Sequence, residues 1–117
     1  MSSTDAVPAK PLTPVVYHTL IALASGPRHG YAISQDVEDA TDGQIRMGPG
    51  TLYGSLQRMQ TSGLLRVVDS VDSESSHEDR RRYYELTPSG RRALEAEARR
   101  LERAVALARS RSILDAG

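Results

Sequence analysis

The chain has 117 residues, 38% of them hydrophobic, and a formal net charge of zero. This suits one domain with a modest core, to which a partner subunit would add buried area. There is no cysteine, which excludes disulfides and thiolate metal sites and agrees with a reducing cytoplasm. No apolar run approaches the roughly 18 residues that a membrane helix needs, and the N-terminus lacks a secretory signal pattern.

The neutral total conceals an uneven distribution. Residues 69–79 carry Asp69, Asp72, Glu74, Glu78 and Asp79 and no Lys or Arg, whereas residues 80–111 are rich in arginine. The overall charge therefore does not announce nucleic-acid binding, but the local arginine density keeps it open.

Residues 1–11 are small, polar and proline-containing and read as a loose tail. Thr13-Pro14 is a hydroxyl cap followed by a proline at the first helical position. With Val16, Leu20, Ile21 and Leu23 behind it and Gly26-Pro27 as a stop, it predicts a helix over 14–25. A second helix is expected over 29–40, with Ile33 and Val37 four apart, Tyr31 in its first turn and Asp36, Glu38 and Asp39 on its wet side; Asp42-Gly43 ends it in a turn. A third, over 49–62, places Leu52, Leu56 and Met59 on one stripe and stops at Gly63.

After Gly63 the period changes. A strand is expected over 64–69 and another over 81–87, with Tyr84 and Leu86 on one face and Tyr83 and Glu85 on the other. The residues between them are too polar to pack, which makes the pair a hairpin with a long acidic tip. Thr87-Pro88 repeats the cap-plus-proline signal and launches a helix over 88–110, with Gly90 tolerated in its first turn. Leu94, Ala98, Leu101, Val105 and Ala108 follow at heptad spacing, while Glu95, Glu97, Arg99, Arg100, Glu102 and Arg103 fill the other sides. That seam faces either a second subunit or the helix's own domain. A helix of this length outruns a compact small domain, which favours the subunit.

The expected architecture is mainly α with a small β-hairpin: a winged helix-turn-helix with one C-terminal dimerisation helix. The parts are a tail at 1–11, the DNA-binding domain at 12–87, and the dimerisation helix with its own tail at 88–117.

With Leu52, Leu56 and Met59 inward, Gly50, Gly54, Gln57 and Arg58 point outward and Thr51 and Tyr53 flank them. Glycine in a helix costs about 1 kcal/mol relative to alanine. Two on one exposed face suggest close approach to a large partner. The DNA major groove fits: slim positions near the helix start, Gln57 for adenine, Arg58 for guanine or phosphate, and the hydroxyls of Thr51 and Tyr53 for phosphate. A protein surface could use the same glycines. Arg80, Arg81 and Arg82, at the root of the wing, either grip the DNA backbone or neutralise the acids before them. The acidic tip would repel phosphates and is expected to bend away from DNA or stay mobile, leaving its arginine base as the contact.

Four stretches resemble the PadR family of bacterial transcriptional regulators: H-G-Y-A-I at 29–33, P-G-T-L-Y-G-S-L at 49–56, S-G-L-L at 62–65, and R-R-R-Y-Y-E-L-T-P-S-G at 80–90. The resemblance covers about residues 12–90 and points to the short-tailed branch. It implies a homodimeric repressor on a palindromic or near-palindromic operator, with the third helix as recognition helix and the hairpin as wing. It also implies dimerisation through the first and last helices, here through Val16, Leu20, Leu94, Ala98, Leu101, Val105 and Ala108. Some members release DNA when a phenolic acid or lipophilic compound binds near the dimer interface. Tyr17, His18, Leu94 and Leu101 are the candidate lining, with plain interface packing as the alternative role. Thr51, Tyr53 and Arg80 to Arg82 inherit the family's DNA contacts. Two departures stand out: the acidic, serine-rich wing tip, and the absence of Trp and Phe, which removes an aromatic stacking pore of the kind some relatives use.

An enzyme is not expected. His18, His29 and His77 are scattered, no Ser/His/Asp set or carboxylate pair is in a plausible setting, and Gly48-Pro49-Gly50 lacks the Lys-Ser/Thr of a nucleotide loop. No cofactor or metal is expected, His77 with Glu78 and Asp79 being the one conceivable metal cluster. The partners expected are double-stranded DNA, a second copy and a small-molecule effector, with no membrane. The rival reading is a winged-helix module that binds protein instead of DNA.

Overall fold

The computed structural model describes residues 10–68 and 82–115. The N-terminal residues up to 9, the acidic tip 69–79, Arg80, Arg81 and the last two residues lie outside them.

Helix α1 spans Pro14–Ala22, capped by Thr13, whose hydroxyl accepts from the Val16 N–H at 3.2 Å. It stops three residues before the predicted end. Gly26, at φ +145°, turns the chain there, and Pro27 keeps the residue before it out of helical geometry. A two-residue strand, β1 (Arg28–His29), follows. Two residues carry no periodicity, so the sequence reading missed it. Helix α2 spans Gly30–Ala40 and begins one residue later than predicted, because His29 is its cap: Nδ1 accepts from the Ala32 N–H at 3.2 Å. Helix α3 spans Pro49–Thr61. Past its end Gly63, at φ +81°, lets the chain reverse, and the Leu64 N–H donates to the Met59 carbonyl at 2.9 Å, a Schellman closure.

Strands β2 (Leu65–Val68) and β3 (Tyr83–Leu86) pair antiparallel, Leu65 opposite Leu86 and Val67 opposite Tyr84. The other face carries Arg66 opposite Glu85, joined as an ion pair. β1 adds to the far edge of β3, giving a three-stranded sheet in the order β1-β3-β2 rather than a bare hairpin. Helix α4 spans Pro88–Ser110, as expected. The core gathers Leu20 and Leu23 from α1, Ile33 and Val37 from α2, Leu52, Leu56 and Met59 from α3, Leu65 and Tyr84 from the sheet, and Leu94 from α4.

One junction seats α4. The Thr87 hydroxyl accepts from the Gly90 N–H and donates to the Gly63 carbonyl, and the Thr87 N–H donates to the Leu64 carbonyl at 3.2 Å. A Cβ on Gly90 would stand 1.9 Å from the Leu64 carbonyl oxygen. Gly90 is therefore required there, not merely tolerated. From this point the first half of α4 runs along α1. Arg91 donates to the Ala24 carbonyl at 3.2 Å, and the Leu12 N–H donates to Glu97 Oε1 at 3.2 Å. Glu97, expected on the wet side, is only 5% exposed and also holds Arg100. Beyond it, α4 leaves the domain and most of its side chains are exposed.

Gly90→Ala should lower unfolding free energy by about 3 kcal/mol, because a backbone carbonyl yields little to an added methyl; a denaturant midpoint equal to the wild type's would refute the close contact. The Arg100 hydrogen bond, helped by the Leu12 N–H and opposed by burial, holds the Glu97 carboxyl below its ordinary range. A carboxyl depressed in the folded state contributes stability that is present above its unfolded value and lost as pH falls through the folded one. Glu97→Gln should therefore flatten the acid limb of a stability–pH curve, measured by thermal melting between neutral and acid pH.

Candidate nucleic-acid interface

α3 divides cleanly. Leu52, Leu56 and Met59 are buried, and Gly50, Thr51, Tyr53, Gln57 and Arg58 are exposed, with Gly54 half-buried between them. The stripe read from the sequence is the buried one, and Ser55 joins it. Among the described residues nothing asks for glycine at position 50, where a Cβ would meet no atom within 4 Å. At Gly54 a Cβ would make an ordinary contact with Arg58 Nη1 at 3.5 Å. Arg58 thus arches back over Gly54 and donates to Ser55 Oγ at 3.2 Å. Its guanidinium and Thr51 also border an open groove of about 620 Å³ between α3 and the segment entering α1, lined by Lys10, Leu12, Val15 and Met59 among others.

Tyr53 is placed differently from the other outward residues. It is 48% exposed, and its ring lies against the backbone of Gly30, the first residue of α2. It also lies within electrostatic reach of Tyr84. Burial pushes the Tyr84 phenol up, Tyr53 adds to this, and Arg82, hydrogen-bonded to it, pulls the other way. Tyr53 of α3, the buried sheet tyrosine Tyr84 and Arg82, just before β3, form one neighbourhood. Arg82 is exposed, while Arg80 and Arg81 lie outside the described residues. Beside it, His29 and Tyr83 meet edge to face at 5.7 Å between ring centres. Gly30 and its neighbour Tyr31, which is strongly exposed, escaped the sequence reading as site residues. The H-G-Y motif was the available signal, but it was read as a helix start and as one of the stretches that resemble the PadR family, with no site role attached.

The candidate dimer residues fall into two groups. Leu20 and Leu94 are buried in the protomer's own core, so they pack the domain rather than offering area to a partner. Val16, Ala98, Leu101 and Ala108 are partly exposed, and Val105 is 39% exposed. Ala98, Leu101 and Val105 line a shallow groove of about 540 Å³ along α4, edged by Glu95, Arg99, Glu102 and Arg109. Leu107, Ile113 and Leu114 are further exposed apolar residues nearby that the heptad reading left out. The four candidate effector residues line no common groove, although Tyr17 packs against the core that holds Leu94. Tyr17 and His18 meet edge to face at 5.4 Å on α1, Leu94 is in the core, and Leu101 is on the α4 groove; neither groove is lined by Tyr17 or His18.

Among the described residues no three His, Asp or Glu side chains gather as a metal site, and no helix is long and apolar enough to cross a membrane.

Comparison with known proteins agrees with this geometry. Residues 19–96 match the model of the transcriptional regulator PadR-like family. The transcriptional regulator Rv3488 of Mycobacterium tuberculosis is 37% identical over 89 residues, which cover 73% of each chain. A 37.1 kDa protein of transposon TN4556 from Streptomyces fradiae is 42% identical over 84 residues, covering 72% of this chain; the match spans only 22% of that relative's length. The crystal structure of Bacillus subtilis PadR in complex with operator DNA shares the fold, with a TM-score of 0.61 and 20% identity over 74% of this chain and 46% of that one. The winged-helix architecture, the motifs placed on α2, α3 and β3, and a family match over most of the chain together lead to one assignment: this protein belongs to the PadR-like family of transcriptional regulators, which are not enzymes.

Proposed function

We propose that the chain works as a homodimer that binds a pseudo-palindromic operator and represses transcription from it. α3 enters the major groove, Gln57 and Arg58 meet base edges, Thr51 and Tyr53 meet phosphates, and Arg80, Arg81 and Arg82 hold the backbone at the wing root. The observation that carries this reading is the outward face of α3. It keeps a glycine at position 50 that no contact among the described residues requires. An external surface that must come close to the helix backbone accounts for that residue. The fold shared with Bacillus subtilis PadR, which was solved on operator DNA, supports the same reading.

The second copy is taken on through the second half of α4, where Val105 is exposed and Leu101 is only partly covered among the described residues. In this reading the functional parts are the DNA-binding domain at 12–87 and the dimerisation helix beyond it. Release by an aromatic or lipophilic effector at the subunit boundary, against Tyr17, His18 and Leu101, completes the regulatory scheme.

The direct test is a gel-shift titration on the DNA upstream of the protein's own gene at several salt concentrations. Binding through phosphates weakens with a log–log slope near −0.9 per phosphate neutralised, whereas a protein-binding module dominated by apolar contact has no such slope on DNA. Arg58→Ala should cost about tenfold or more in affinity, and Gly54→Leu should abolish binding by holding α3 out of the groove; full affinity in either variant removes that residue from the interface. Val105→Asp, at an exposed position, should give folded monomers in sedimentation and lose tight operator binding. An intact dimer would move the subunit contact elsewhere.

A further inference from the structure

We infer that Gly30 is a positioning residue for DNA binding: the side chain it lacks leaves the gap in which the Tyr53 ring lies, and this sets where α3 presents the Tyr53 hydroxyl. The inference rests on the reading of α3 as the DNA-contacting helix.

Gly30 is buried at the first position of α2, and its φ lies outside the left-handed region, so backbone conformation does not explain a glycine there. Space does. A Cβ on Gly30 would lie 2.7 Å from Tyr53 Oη and 2.9 Å from Cε1 and Cζ. Heavy atoms in ordinary contact sit about 3.5–4.0 Å apart. The obstacle is the far end of a half-exposed side chain, not backbone. An added methyl therefore displaces the ring and leaves α2 standing. That is the signature of a residue that places another.

The seat has value because of what meets there. Tyr53 comes from α3 and Gly30 from α2, and His29, next to Gly30, meets Tyr83 of β3 edge to face at 5.7 Å between ring centres. Two motifs some twenty residues apart, H-G-Y at 29–31 and T-L-Y at 51–53, thus form one contact. With the ring pinned on Gly30, the phenol can point in few directions, and little rotamer freedom remains to be lost when a phosphate oxygen accepts its proton. Moving the ring gives up that preorganisation while α3 keeps its buried stripe.

The experiment is a double-mutant cycle on the full chain with Gly30→Ala and Tyr53→Ala. It is read by affinity for a duplex that the wild type selects from a random pool and by melting temperature. Gly30→Ala should weaken duplex binding about tenfold, the scale of one lost charge-assisted hydrogen bond, and should lower the melting temperature. In the Tyr53→Ala background the same glycine change should do neither, because there is no ring left to displace. If Gly30→Ala alone does not fold, the double variant should. A wild type that selects a duplex, paired with Gly30→Ala bound as tightly as the wild type, overturns this role alone. So do losses that multiply through the cycle. A wild type that selects no duplex overturns the DNA reading, and this role with it, even where the melting temperatures remain coupled.

Discussion

The arrangement depends on one close contact, Gly90 against the Leu64 carbonyl. Four elements converge on it: the closing turn of α3, the start of β2, the end of β3 and the first turn of α4. Thr87 supplies the polar half, capping α4 while donating to Gly63, and Gly90 supplies the room. Because the contact is backbone on backbone, it has little freedom to flex. It sets the angle between the helix that carries the outward glycine-bearing face and the helix that leaves the domain. In a dimer, that angle and the length of α4 govern how far apart two copies of α3 stand. A winged-helix dimer meets successive turns of DNA only when that separation is close to a helical repeat, about 34 Å or a multiple of it.

Helix α3 is held from both sides. Its apolar stripe is bound into the core, and Tyr53 is held on Gly30 beside the wing root. The outward face is left with small and polar groups, and the exposed Arg58 lies over Gly54 and donates to Ser55. In the proposed DNA reading, an arginine held by Ser55 loses less freedom on meeting a base edge than a free one does. The buried serine is therefore a support for the presented arginine as well as part of the core boundary.

α4 performs two tasks along its length. Near its start Leu94 and Glu97 bind it to α1, and the carboxylate of Glu97 ties down the chain entering α1 through the Leu12 N–H. A buried carboxylate without partners would be costly; here the Arg100 guanidinium and a backbone donor satisfy it. Past Glu97 most side chains of the helix are exposed among the described residues, and apolar side chains at Val105 and Leu107 face outward. The change from held to free comes within a single helix of uniform heptad spacing, so the same repeat serves the domain first and an outer surface afterwards.

Much of this was legible in the residues. Cap-plus-proline signals at Thr13-Pro14 and Thr87-Pro88, a period-four stripe in α3, alternation in β3 and glycines at the turns are local, and local rules place helices and strands to within a few residues. The PadR motifs were equally visible, and with them the outward face of α3. What escaped depends on residues distant in the chain. β1 exists only because β3 lies beside it. Gly90 and Gly30 look like tolerated glycines until Leu64 and Tyr53 arrive from elsewhere, and Glu97 looks solvated until Leu12 covers it. The heptad in α4 likewise could not say which of its members, Leu94 or Val105, would find cover at home. Spacing along a chain decides which face a side chain is on; what that face meets is decided by packing, and only the folded molecule settles that.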